Sequence, residues 1–288
     1  MPRAQANGIE LEYDTFGNAT DPALLLIMGL GAQMTAWDEA FCTLIADQGF
    51  HVIRFDNRDV GLSTRTDGPT PDVVAAMTGD TASVTYLLDH MADDAAGLLD
   101  ALGIAKAHIV GASMGGMIAQ EFAINHPDKT LSLCSIMSTT GDRSVGQATP
   151  EAMGALMATP ATDRDGAIAN GIAAGRILSP VHFDEAKAAK RAGESFDRAF
   201  YPKGMARQLV AIMASPDRTA ALANVAAPTL VIHGGPDPLV TVSGGEATAK
   251  AVPGAELLIF EDMGHDLPEP RWPEIVGAIV ANAKKAQS

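Results

Sequence analysis

Ser113 stands in the run Gly111-Ala112-Ser113-Met114-Gly115, a G-x-S-x-G pattern. A β-branched apolar run over residues 107–110 leads into it, and a helix-patterned stretch over 114–126 leads out. A serine on a sharp strand-to-helix turn lifts its hydroxyl clear of the sheet edge, and glycines are needed where side chains would meet neighbouring backbone. The first N–H groups and the positive dipole end of the following helix favour an oxyanion forming beside that hydroxyl. A serine hydroxyl is a poor nucleophile at neutral pH. Acyl chemistry therefore needs an imidazole within hydrogen-bond reach and a carboxylate to orient the imidazole.

The chain has seven histidines. His51, His108 and His233 lie in or at the ends of strand-like runs, His126 ends a helix, His90 sits in a long helix and His182 in a helical block. His265 is different. It lies in Asp262-Met263-Gly264-His265-Asp266, directly after a strand-like run that ends at Phe260. It is the expected base. The expected acid is Asp237, in the turn Gly234-Gly235-Pro236-Asp237 that follows the strand-like run 228–233. Asp262 and Asp266 stand too close to His265 in sequence to orient its ring easily, and Asp142 follows another strand. The oxyanion requires two donors. One is the backbone N–H of Met114, after the nucleophile, and the other that of Leu30 in Met28-Gly29-Leu30-Gly31. The run Asp56-Asn57-Arg58-Asp59 invites reading as a second site, but Arg58 between carboxylates reads more simply as a structural ion-pair network.

These groups must be carried by a scaffold. Residues 9–16 alternate apolar and polar, as in a half-exposed strand, whereas 23–28, 51–55, 107–110 and 130–137 are the continuous apolar runs of buried strands. Helical spacing occupies 37–48, 84–102, 114–126 and 272–284; the stretch 64–81, rich in Pro and Gly, reads as a loop. Strands alternating with helices predict an α/β fold, a mostly parallel twisted sheet with helices on both faces. From residue 139 to 218 the alternation stops, and the segments 150–158, 165–178, 183–198 and 202–214 all read as helices. The expected division is a core of residues 1–138 and 219–288 carrying an inserted helical cap, 139–218. Such a cap lies over the carboxyl ends of the strands, where parallel sheets do their chemistry.

Composition narrows the partners. A length of 288 residues, 47% hydrophobic and 19% charged, supports one sizeable core and argues against disorder. The net charge of −15 opposes binding to nucleic acid or an anionic membrane. No apolar stretch is long enough to span a bilayer, and the N-terminal residues lack a signal-peptide core, so a cytoplasmic protein is expected. Cys42 and Cys134 read as buried free thiols. No metal-ligand cluster is visible. A homodimer is left open.

Taken together, these segments resemble the α/β-hydrolase superfamily over nearly the whole chain. The residues that carry the resemblance lie in Leu25 to Gly31, His51 to Ser63, Ala107 to Gln120, Pro228 to Asp237 and Met263 to His265. Asp56 to Ser63 adds a segment similar to the D-x-R-G-x-G-x-S run common in that superfamily. The order Ser113, Asp237, His265 is the superfamily's order. Within it the chain looks most like small bacterial esterases of the aclacinomycin methylesterase type. Two positions depart from the pattern: Met28 stands where many members have His, and Asp59 where they have Gly. The resemblance implies a cofactor-free serine carboxylesterase acting on a small-molecule, hydrophobic ester. A lactonase or C–C bond hydrolase with the same triad is the alternative, and a non-catalytic ligand receptor on the same scaffold is the further one. Met153, Met157, Phe183, Phe196 and Met205 of the insertion, with Met28, are the expected pocket, since Met adapts to irregular apolar ligands. Each of these residues has packing within the cap as its competing role.

Overall fold

Leu24 and Leu26 join one hydrophobic cluster and Leu25 and Ile27 another, and all four are fully buried. Side chains alternate across a strand, so this strand is covered on both faces. The structure is a computed structural model that describes residues 1–286. Its strands are β1 (Arg3–Ala6), β2 (Ile9–Phe16), β3 (Ala23–Ile27), β4 (His51–Phe55), β5 (Ala107–Ala112), β6 (Thr130–Ile136), β7 (Thr229–Gly234) and β8 (Glu256–Phe260). They form one sheet in the order β1-β2-β4-β3-β5-β6-β7-β8. The pairs β1–β2 and β2–β4 are antiparallel, and every later pair is parallel.

The helices are α1 (Glu39–Ala46), α2 (Val73–Met77), α3 (Leu88–Ala101), α4 (Met114–Asn125), α5 (Pro150–Leu156) and α6 (Arg164–Leu178). They continue with α7 (Glu185–Arg198), α8 (Pro202–Ala214), α9 (Thr219–Leu222), α10 (Ser243–Ala251) and α11 (Trp272–Lys285). On one face Leu88, Met91, Leu98 and Leu99 of α3 and Ile118 and Phe122 of α4 pack with Leu25 and Ile27. On the other, Phe41 and Ile45 of α1 and Ile275 and Ile279 of α11 pack with Leu24 and Leu26. Each such fully buried side chain contributes about 1.5–3 kcal/mol relative to exposure. Acidic and hydroxyl caps start the helices: Asp38 accepts from Ala40 N–H, Thr149 from Ala152, Asp163 from Gly166 and Asp184 from Lys187.

Several features differ from the sequence expectation. The stretch 64–81 contains α2, capped by Asp72 and packed against α8. The helix expected from residue 84 begins at Leu88, because Leu87 is extended and Ser215 Oγ accepts the Leu88 N–H. The edge strand β1 and the helix α10 were not expected. A four-residue edge strand has too few residues to show a period, and Gly244-Gly245 at the start of α10 lowers its helix propensity. Residues 139–218 hold helices and no strand. The last of these, α8, also joins the sheet's core cluster through Ala211.

Cys42 and Cys134 are buried and free, and burial pushes the Cys42 thiol up to about 12. Among the described residues no helix is long and apolar enough to cross a membrane, and no group of three or more His, Cys, Asp or Glu is placed to hold a metal ion.

His108 on β5 is buried, and burial holds its imidazole down at about 4. Unfolded, it titrates near 6.5. Between those values the unfolded chain binds a proton that the folded chain refuses, so stability falls as pH drops. The slope is at most about 1.4 kcal/mol per pH unit. Urea midpoints measured from pH 7 to pH 4 are expected to show this loss, and His108→Gln is expected to flatten it.

Candidate active site

Ser113 joins β5 to α4 with φ 57° and ψ −123°. A non-glycine residue held there carries about 1–3 kcal/mol of strain. The surroundings enforce it. Ser113 N–H donates to Ile136 C=O at 2.9 Å. A Cβ on Gly111 would overlap the carbonyl of Gly115, and one on Gly115 would overlap that of Ile27. The two glycines of the motif therefore let β3, β5 and α4 meet closely enough to form the turn. Gly115→Ala is expected to destabilise the chain by at least about 1–3 kcal/mol, as forced overpacking does, and to displace Ser113. Thermal melting together with turnover checks both.

His265 and Asp237 reach Ser113 from the ends of β8 and β7. His265 Nε2 lies 2.9 Å from Ser113 Oγ, and Nδ1 lies 2.8 Å from Asp237 Oδ2. Asp237 has a fully buried side chain. Its other oxygen accepts the N–H groups of Leu239 at 2.9 Å and Val240 at 3.0 Å, which fixes the carboxylate plane. The His265 loop can approach β7 because a Cβ on Gly234 would overlap the carbonyl of Met263. The end of α6 holds the loop from the other side: His265 N–H donates to Leu178 C=O at 2.7 Å, and Ser179 Oγ bonds Asp266.

The competing acids are occupied elsewhere. Asp262 bonds Arg271 and His182, Asp266 bonds Ser179 and Gly264 N–H, and Asp142 bonds Ser144. Other histidines have other partners: Ser132 for His108, Asp93 for His126, Asp89 for His90 and the Val240 carbonyl for His233. The bond from His233 Nε2 to that carbonyl, at 2.7 Å, puts its proton on Nε2, and burial lowers its pKa.

The loop after β3 lies over Ser113. A Cβ on Gly29 would come 3.0 Å from Ser113 Cβ and 3.5 Å from its Oγ. Leu30 follows directly. Met114 is the first residue of α4, so its N–H has no partner four residues back in the helix. Asn57 Nδ2 donates to Met28 C=O at 2.9 Å, and Gly31 N–H donates to Gln208 Oε1 at 2.8 Å.

The run Asp56 to Asp59 is distributed among three arginines. Arg58 grips Asp94 of α3 with two bonds, at 2.5 and 2.6 Å, and lies over the Tyr86 ring. Asp56 instead meets Arg198 at 2.8 Å, and Asp59 meets Arg207 at 3.4 Å. Those arginines lie on α7 and α8. Burial of these carboxylates leaves the network structural, and it ties α7 and α8 to the loop after β4.

Of the residues expected to line a pocket, Met28 and Met205 adjoin the loop after β3. Met28 is buried at the end of β3, and the Met205 side chain lies against Gly31. Phe183 packs on Gly175 and under Arg176, and Phe196 meets Phe200 at a tilt of 36° with ring centres 4.7 Å apart. Both of these contacts lie inside the insertion. Met153 is half-buried and Met157 is exposed. Gln208, Asn57 and Leu178, which hold the two loops at the site, carry no sequence pattern that marks them; a glutamine in a helix reads as an outward polar residue.

The family model described as alpha/beta hydrolase fold matches residues 22–270. Rhodomycin D methylesterase DauP of Streptomyces sp. strain C5 is 28% identical, covering 96% of this chain and 96% of that protein. The 3-oxoadipate enol-lactonase 2 of Acinetobacter baylyi is 26% identical over 89% of this chain and 86% of its own. Among solved structures, the meta-cleavage product hydrolase of Pseudomonas fluorescens IP01 superposes with a TM-score of 0.77 at 21% identity, covering 99% of this chain and 98% of that one. That last likeness is one of fold. With a family match spanning most of its length and one sheet of the same build, the chain belongs to the alpha/beta hydrolase fold family.

Proposed function

We propose that the protein is a serine carboxylesterase that hydrolyses a hydrophobic small-molecule ester through an acyl-enzyme. The observation that carries this reading is the hydrogen-bonded chain Ser113 Oγ, His265, Asp237 on a strained turn. In the first half-reaction Oγ attacks the ester carbonyl carbon as His265 Nε2 takes its proton. Asp237 holds the imidazole through Nδ1–H and stabilises the imidazolium. The carbonyl oxygen becomes an oxyanion between the N–H groups of Met114 and Leu30. The C–O bond to the alcohol then breaks, and His265 protonates the departing alkoxide. In the second half-reaction a water gives its proton to His265 and attacks the acyl carbon; Ser113 leaves with that proton.

On this reading residues 139–218 act as a cap over the core. Support comes from the places where the insertion touches the site: Leu178 and Ser179 on the His265 loop, Met205 and Gln208 on the loop after β3. The similarity to a methylesterase over 96% of both chains favours a carboxylic ester as substrate, and the likeness to an enol-lactonase keeps a lactone as the second candidate.

A panel of methyl and aryl esters of increasing acyl length, an enol-lactone and a vinylogous diketone, compared by kcat/KM, separates the readings. Greatest turnover on an ester supports the proposal. Turnover confined to the lactone or the diketone would replace it, and an absence of any turnover or covalent labelling would favour a binding role.

A further inference from the structure

The geometry points to Gln208 as the positioning residue of the oxyanion loop: a single buried amide on the insertion that sets the direction of the Leu30 N–H. The inference rests on the reading above, in which that N–H is one of the two oxyanion donors. Gln208 is fully buried on α8 and uses both ends of its amide. Oε1 accepts Gly31 N–H at 2.8 Å, and Nε2 donates to Arg58 C=O at 2.8 Å. One planar group thus bridges the loop after β3 to the loop after β4.

The peptide between Gly29 and Leu30 needs such a restraint. It starts at Gly29, and Gly31, one residue past Leu30, has φ 66°. A peptide plane can turn over by paired rotation about its two flanking bonds, and that turn would aim the carbonyl rather than the N–H at Ser113. Met28 offers the loop no polar side chain. Its carbonyl is held by Asn57 on one side of the peptide, and Gly31 N–H is held by Gln208 on the other. The bond to that peptide's own carbonyl, from Ala32 N–H to Gly29 C=O, is long at 3.3 Å. Met205, one turn earlier on α8, lies against Gly31 and limits its movement outward.

The helix is itself anchored. Arg207, adjacent to Gln208 and buried, bonds Tyr201 Oη and Gly68 C=O, each at 2.8 Å, and lies beside Asp59. The choice of residue follows from bonding capacity. An amide carries a donor and an acceptor, a methionine neither in useful strength, and a carboxylate only acceptors.

The test uses Gln208→Met and Gln208→Glu on the full chain, with a p-nitrophenyl ester as substrate and a trifluoromethyl ketone as an inhibitor whose bound form is an oxyanion. Gln208→Met is expected to lower kcat about 10²-fold, as loss or misplacement of one donor does, with KM nearly unchanged. The inhibition constant is expected to rise by the same factor. Gln208→Glu is expected to approach wild-type kcat as pH falls, because the protonated acid regains an O–H donor for Arg58 while still accepting from Gly31. This second variant carries the test if the first does not fold. A kcat for Gln208→Met within about threefold of wild type overturns the inference, as does a loss of kcat with unchanged inhibitor affinity. A Gln208→Glu loss that does not narrow relative to wild type on acidification overturns it too. Wild-type protein that hydrolyses the ester while Gln208→Met matches it refutes only this inference. Wild-type protein without turnover refutes the esterase reading itself.

Discussion

Ser113→Ala is expected to lower kcat by about 10⁴–10⁶-fold while leaving the fold intact. The substitution removes one oxygen. That oxygen lies 2.9 Å from His265 Nε2. Cys42 and Cys134 are buried on α1 and β6. Residual turnover would come from the oxyanion donors and binding alone. The fold is expected to survive because the turn is fixed by backbone contacts, namely Ser113 N–H to Ile136 C=O and the close approach at Gly111 and Gly115. Ser113→Gly is expected to lose activity equally and yet to melt higher, since glycine occupies a φ of 57° without strain. Steady-state kinetics and calorimetry on the two variants check these outcomes; a loss of tenfold or less in Ser113→Ala would place the chemistry elsewhere.

Asp237→Asn is expected to fold and to lose about 10⁴ in kcat. The reason is directional. Oδ1 of Asp237 accepts two backbone N–H groups, from Leu239 and Val240, and only an oxygen fits there. An asparagine must keep its carbonyl on that side and turn its NH₂ toward His265 Nδ1. Nδ1 then has to accept, the ring proton moves to Nε2, and Nε2 can no longer take the proton of Ser113. Turnover near the wild-type value would disqualify Asp237 as the orienting acid.

Much of the candidate site's geometry is legible in the sequence because its constraints are local. The turn at Ser113 needs small residues at fixed offsets, so Gly111 and Gly115 mark it in the sequence. Asp237 and His265 each follow an apolar strand run, and a parallel sheet carries such positions to one rim. The run of helices over residues 139–218 is marked by a change of period, and α5 to α8 begin near the expected positions because Thr149, Asp163 and Asp184 cap three of them and Pro202 opens α8. What stayed hidden depends on partners far away in the chain. Gln208 reads as a polar helix residue until Gly31 and Arg58 are seen beside it. Arg58 was expected to answer its neighbouring carboxylates, yet it pairs with Asp94 of α3 while Asp56 and Asp59 take arginines from the insertion. The start of α3 at Leu88 is set by Ser215, and α10 forms despite two glycines because Gly244 and Thr248 are buried in packing. In these places tertiary contact overrode local propensity.

The central claim is that Ser113 is a nucleophile activated by His265. Treatment with a fluorophosphonate tests it most directly, because attack by an activated serine forms an O–P bond at Oγ and releases fluoride. Peptide mapping by mass spectrometry is expected to find a single adduct on the peptide bearing Ser113, with labelling slowed by orders of magnitude in His265→Ala. Efficient ester hydrolysis by protein whose Ser113 stays unmodified, or labelling that His265→Ala leaves as fast as before, would contradict the account.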